Sequence, residues 1–365
     1  FGLSDKPTSS EIESRRAAVL SDSDRQSSYV SDIALTAGLT TFLGSATMHP
    51  LLEGVQKDLY LIFMDRTWAH QRSAGVVGLI HPERHLSDPA AGQFRAQTYG
   101  RLRRHFQFVN ELKLFEDISN TRQYGIHIYG STRSIGFLQV SSVHSPATVD
   151  SSLNHDGSGP VPAVQFPAGG WDLRPHLERV IWVNRDILVM WASLFDEPGT
   201  PPEEARLVRP VVRDDLLVIE ALARFPRRLA DTGYQWTRGF EEDGAKKDGT
   251  MVWRTSVPAS WEEAIVQGPQ IGVANPLFQQ PKINCKNSRD YELYDLETIP
   301  SSVLPRTNYQ RLANRSLYDS RIDRWNDVLC SSFWRVTWRR MIDTGMSRTL
   351  QSCILPRGAM HPHTM

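Results

Sequence analysis

Residues 1–50 place Ser and Arg between short apolar bursts such as Ile33–Leu39, a pattern that suits helices lying on a surface and reads as an arm or insertion. From Asp58 the texture changes. Leu59, Phe63 and Trp68 recur at roughly helical spacing and Gly75 stands where a C-cap would, predicting a helix across this stretch. The next run, Val76 to Ile80, is short, β-branched and stopped by His81-Pro82, as expected of a buried parallel strand. Arg95–His105 reads as a basic helix, Phe106–Val109 as a second strand, and Tyr124–Gly130, after the short Phe115–Gln123 connection, as a third. Helix and strand alternate here as in a wound α/β sheet, whose ligands sit at the C-terminal ends of the strands. His81-Pro82-Glu83 would then lie on the functional edge.

Residues 144–175 are rich in Pro, Gly, Ser and Asp and read as a connector. Beyond them, Leu177–Leu194 and Asp214–Ala223 read as helices separated by the turn Glu197–Pro202, and from Tyr234 the chain becomes aromatic and turn-rich. No internal repeat or heptad array is present. The expected organisation is 1–145, an α/β domain with an N-terminal arm; 146–205, a connector; and 206–365, an α+β domain.

The 365 residues suffice for two cores, and 41 Lys+Arg against 41 Asp+Glu leave no global field that points to nucleic acid. Cys285, Cys330 and Cys353 lie far apart without a CxxC pair, which argues against both zinc and disulfides and for a cytoplasmic protein with reduced thiols. No apolar run approaches the roughly 20 residues of a membrane span. The chain starts at Phe1 and stops at Met365 directly after a loop-like His361-Pro362-His363, so both ends read as cut. There is no GxSxG elbow, GxxxxGK[ST] loop, HExxH or GxGxxG, which removes most support for common hydrolase, NTPase and dinucleotide readings.

Three constellations remain. From Lys282 onward there are 13 Lys+Arg against 8 Asp+Glu, interleaved with Tyr309, Trp325, Trp334 and Trp338, the mix expected where phosphates and bases are contacted. If Phe333–Met341 is helical, Arg335 and Arg339 share a face, and a guanidinium fork can bind phosphate or guanine bidentately. A solvated face with Arg stacked on Trp is the plainer alternative. Asn275-Pro276-Leu277-Phe278 is close to the Asn-Pro-Pro-aromatic loop of amino-methylating enzymes, but Leu277 replaces the second proline and an ordinary turn is expected. His81-Pro82-Glu83, with Arg84, His85 and Asp88, is expected to shape a loop rather than bind metal, because a proline interrupts the His81–His85 spacing.

The runs DLYLIFMDRTW, SAGVVGLIHPE, YGRLRRHFQFVNELKLFEDI and QYGIHIYG, with WEEAIVQGPQIGVANPLFQQP, DLETIPSSVLPRTNY, WRVTWRRM and SRTLQSCILP further on, resemble gamma-class DNA adenine-N6 methyltransferases. These are enzymes of Eco57I-like and TaqI-like type, found in restriction-modification and phage-defence proteins. The resemblance covers nearly the whole chain from about Ser9. It implies a partial Rossmann-like methyltransferase sheet in 1–145 and a target-recognition domain in 206–365. Asp58, Leu59, Tyr60 and Phe63 match the motif that lines the pocket for the S-adenosylmethionine adenine and the flipped base. Phe115 takes the place of the aromatic residue that stacks on the extruded adenine, with Tyr124 as second choice. Double-stranded DNA is the implied partner, contacted by Arg306, Asn308, Tyr309, Arg335, Arg339, Arg340 and Arg348.

The glycine-rich donor motif and the Asn-Pro-Pro-aromatic loop, which precede the Asp58 region in that family, do not occur in this sequence. Catalytic residues are therefore expected in a missing N-terminal part of the same enzyme, with this chain inactive alone. The alternative is a non-catalytic DNA-binding specificity module.

Overall fold

The computed structural model describes residues 9–287, 290–340 and 350–363. The chain divides into two units, Phe1–Pro226 and Arg227–Met365.

In the first unit, α1 (Ser9–Leu20) and α2 (Ser23–Leu43) are exposed helices, in keeping with the polar N-terminal pattern; Asp22 caps α2 by accepting from Arg25 N at 3.0 Å, and α2 buries no residue. Then come α3 (Leu59–His70), β1 (Val77–His81), α4 (Gly92–Arg101), β2 (Leu102–Val109), β3 (Gln123–Tyr129), β4 (Gly136–Val143), α5 (Pro146–Leu153), β5 (Ile181–Asn184), α6 (Arg185–Phe195) and α7 (Arg213–Arg224). The strands build one five-stranded mixed sheet in the order β1-β3-β2-β4-β5, so the α/β class read from the sequence is what the chain adopts. Only β2 with β4 pairs parallel.

Three local expectations are corrected. The Val76–Ile80 run is an edge strand antiparallel to β3, with alternate residues exposed rather than a buried parallel strand, because β3 returns directly to it as a neighbour. The basic stretch 95–105 switches from helix to strand at Leu102, where Arg103 and Arg104 hide the alternation of a strand. Leu177–Leu194 opens with a 3-10 turn and β5 before α6 begins at Arg185, capped by Asn184, whose side chain accepts from Ile187 N at 3.1 Å. The stretch 146–205, read as a connector, thus supplies a strand and two helices to this unit.

Strand alternation gives the sheet two unlike faces. Phe106, Ile126 and Val140 fall in one row and pack with Phe108, Val143, Val149 and Val180. The opposite face meets α3, α4 and α6 through Leu61, Met64, Trp68, Phe94, Tyr99, Leu188 and the fully buried Trp191, but it also carries His105, Gln107 and His127. Each large apolar side chain removed from water there stabilises the fold by about 1.5–3 kcal/mol, so this face can tolerate a polar centre only if it is satisfied locally.

The second unit consists of α8 (Glu242–Lys247), β6 (Met251–Ser256), β7 (Gln279–Pro281), β8 (Tyr291–Leu293), β9 (Thr307–Arg311), α9 (Arg315–Ser320), β10 (Arg324–Trp325), β11 (Val328–Leu329), β12 (Arg335–Trp338) and β13 (Ser352–Leu355). The strands join as antiparallel pairs β6–β9, β7–β8, β10–β11 and β12–β13. Asn326 and Asp327 both take positive φ, as a two-residue hairpin turn between β10 and β11 requires. The stretch His361-Pro362-His363, loop-like in sequence, continues an interior ribbon from Met360: Val266 N donates to Met360 O at 2.8 Å, and Phe240 N to His361 O at 2.9 Å. Among the described residues no helix is long and apolar enough to cross a membrane.

Candidate functional site

The connection from β1 to α4 is held by one guanidinium. Two 3-10 turns, Arg84–Leu86 and Pro89–Ala91, follow His81, and Asp88 caps the second by accepting from Ala90 N at 3.0 Å. Arg95 of α4 is 2% exposed and reaches back into this loop. Its Nη1 donates to His85 O at 2.9 Å and also to Asp88 O, while Nε and Nη2 donate to Glu204 O at 3.1 and 2.8 Å.

A small depression beside this loop is lined by Lys57, Asp58, Tyr60, Arg84, His85 and Asp88, among others. Asp58 is the N-cap of α3 and accepts from Tyr60 N at 3.4 Å. Tyr60 Oη lies 3.3 Å from His85 Nδ1 and accepts from His85 N at 3.2 Å; burial pushes its phenol up to about 12, so it remains protonated. Of the four residues assigned to a donor pocket, Asp58 and Tyr60 line this depression. Leu59 and Phe63 are exposed and do not line it, because α3 turns Leu61, Ile62, Met64 and Trp68 inward instead.

At the same end of the sheet, but on its other face, β2 passes into β3 through residues 110–122. Asn110 fixes that loop: its Nδ2 donates to Phe115 O at 2.9 Å and Ile118 O at 3.0 Å, and its Oδ1 accepts from Phe115 N at 3.0 Å. Phe115 is 39% exposed and meets Tyr124 edge-on at 4.9 Å, and Tyr124 stacks on Phe108 at 5.5 Å. The two aromatic candidates are therefore neighbours, with Phe115 outermost.

Behind the depression lies a buried polar centre. The register sets His105 opposite His127, and His81 opposite Gly125, on the face that α3 covers. Tyr60, His81 and His127 stack in sequence, with centroids 5.3 and 4.0 Å apart. Glu83 Oε1 is hydrogen-bonded to His105 Nε2 and lies 3.5 Å from His127 Nε2, while Arg209 Nε stands 3.3 Å from Oε2. Burial alone would raise the Glu83 carboxyl, but His105, hydrogen-bonded to its Oε1, holds it well below the usual range. Burial takes His127 down to about 3 and His81 to about 4, so both rings are neutral at pH 7. Sequence reasoning reached His81, Glu83 and His85 but missed His105 and His127, whose one signal is polar residues at alternate positions of two adjacent strands.

In the second unit the helix on which a shared face of Arg335 and Arg339 depended does not form: Arg335–Trp338 is strand β12, and Met341 lies outside the described residues. Alternation, not helical spacing, decides the faces, so Arg335 and Thr337 turn inward while Trp334, Val336 and Trp338 turn out. Arg335 is buried and donates to Ala359 O, and Arg339 donates to Ile271 O at 2.8 Å and Pro269 O at 3.1 Å. Arg306 donates to Pro281 O at 2.6 Å and Glu292 Oε1 at 3.0 Å. Asn308 and Tyr309 are buried on β9, the first donating to Gln267 Oε1 at 2.9 Å and the second to Glu242 Oε1. Arg340 is exposed against His363, and Arg348 lies outside the described residues. Asn275 closes a turn, its Oδ1 accepting from Leu277 N at 2.8 Å, as expected for that tetrapeptide.

No family model and no curated protein matches the chain. Among solved structures it is similar to that of the type IIG restriction endonuclease BpuSI, with a TM-score of 0.29 and 14% identity over 62% of this chain and 26% of that one. The chain thus spans about a quarter of that protein's length, and a likeness at this level fixes neither fold nor activity.

Proposed function

We propose that the chain is part of a site-specific DNA adenine-N6 methyltransferase of a restriction-modification or phage-defence system, and supplies its base-pocket and DNA-recognition segments. The observation that carries this reading is the joint placement of Asp58 and Tyr60 on a depression and of Phe115 and Tyr124 beyond the same end of one sheet. Asp58 offers a carboxylate, and Tyr60 an aromatic face, to the adenine of S-adenosylmethionine. Phe115 offers the extruded base a new stacking partner, an interaction worth about 1–3 kcal/mol. Transfer itself is assigned to a donor-binding and Asn-Pro-Pro-aromatic segment of the same cytoplasmic enzyme.

DNA recognition moves, in this reading, from Arg335 and Arg339 to the outward side of β12, where Trp334, Trp338 and Arg340 are exposed. That strip also favours a second reading, a DNA-specificity module without catalysis. Selection of binders from a randomised duplex pool, followed by a salt titration, tests both. Duplexes should be retained at low salt, with log affinity falling linearly in log salt by about 0.9 per phosphate contacted; failure to retain any duplex removes both readings. Labelled S-adenosylmethionine, supplied with the selected duplex and the full enzyme, then separates them: transfer to adenine supports the methyltransferase, and binding without transfer the module.

A further inference from the structure

We propose that Glu83, His105 and His127 bind one divalent transition-metal ion, zinc by the character of its donors. One atom from each residue lies within 4.8 Å of the others, and all three residues are buried. They come from three elements, the turn after β1, β2 and β3, so a bound ion would tie the loop bordering the Tyr60 depression to the middle of the sheet. Two imidazole nitrogens and one carboxylate oxygen suit zinc, whereas calcium and magnesium take oxygen donors. Three protein donors leave a fourth position for water.

A metal-free hydrogen-bonded pair accounts for only part of this centre. It uses Glu83 and His105 Nε2 but leaves both nitrogens of the fully buried His127 without a hydrogen-bond partner. An unsatisfied buried polar atom destabilises the fold, and a ligand on His127 Nε2 would offset that cost. The carboxylate sits between the rings and a cation, with Oε1 toward both rings and Oε2 3.3 Å from Arg209 Nε. The backbone also makes room: a Cβ at position 125 would run into Glu83 Oε1 and the His127 ring, so only glycine leaves the donors where they are.

The site does not depend on the methyltransferase reading and is tested without an activity assay. The purified chain is incubated with zinc, desalted and analysed for metal, and a cobalt-loaded sample is examined for visible absorption. About one zinc per chain and a cobalt spectrum of low coordination number are expected. Affinity should fall by about 10-fold or more in His127→Gln and Gly125→Ala, but not in His70→Gln, which alters an exposed histidine of α3. Wild-type chain that retains no zinc overturns the proposal, as does retention that His70→Gln lowers as much as His127→Gln. Because the wild-type stoichiometry and spectrum stand by themselves, a variant that fails to fold does not shield the proposal.

Discussion

Replacing Arg95 with methionine is expected to cost the first unit about 4 kcal/mol, read as a lower urea midpoint at unchanged slope. Methionine keeps most of the apolar stem but strands His85 O and Glu204 O and leaves Asp88 O with only the Ala91 N–H, three carbonyls that all accept from this one guanidinium. Each buried carbonyl left without a donor loses about 1–3 kcal/mol, and their sum exceeds the effect of an ordinary surface substitution several-fold. Lysine should recover little, because its ammonium cannot span three acceptors with the geometry of a planar fork. A loss below about 1 kcal/mol in Arg95→Met would show that the loop is held by other contacts.

Acid should weaken the second unit through His361. This ring is buried, and burial, with the nearby Arg335 charge, takes it from 6.5 down to about 4. Between these values the unfolded chain binds a proton that the folded chain does not, so stability is fully present above about pH 6.5 and is lost as pH falls towards 4. The loss attributable to this one group reaches about 3 kcal/mol at the bottom of the window. Comparison of urea unfolding at pH 7 and pH 4.5 for wild type and His361→Gln isolates it. The variant should show a clearly flatter pH dependence, and identical slopes would remove His361 as the cause.

Elements with strong local signals were legible in the sequence. Asp58 followed by apolar residues marks the start of α3, and the alternation around Gly125–Tyr129 marks β3. Partners set by distant residues were not. A short β-branched run such as Val77–Ile80 reads the same whether its neighbour is parallel or antiparallel, and that depends on where β3 returns. Arg335 and Arg339 satisfy helical spacing, yet pairing with Cys353 and Leu355 of β13 turns the segment into a strand and reverses which side chains face water. The same pairing rule conceals the histidine centre. His105 and His127 are unremarkable in sequence and become neighbours only through the β2–β3 register, with Glu83 brought in by the turn after an edge strand. Asp58 and Tyr60 meet at the depression because a capping Asp and the Tyr two places on share the first turn of α3, whereas placing Leu59 and Phe63 required knowledge of which face α3 buries.

The central proposal, a base pocket beside Phe115, is tested most directly with 2-aminopurine in place of the adenine of a selected duplex. Extrusion and restacking should change the probe's fluorescence on binding, and Phe115→Ala should reduce that response while weakening affinity by about 5- to 150-fold, the equivalent of one lost stacking contact. A bound duplex whose probe signal stays at its stacked value, or a response indifferent to Phe115→Ala, would contradict it.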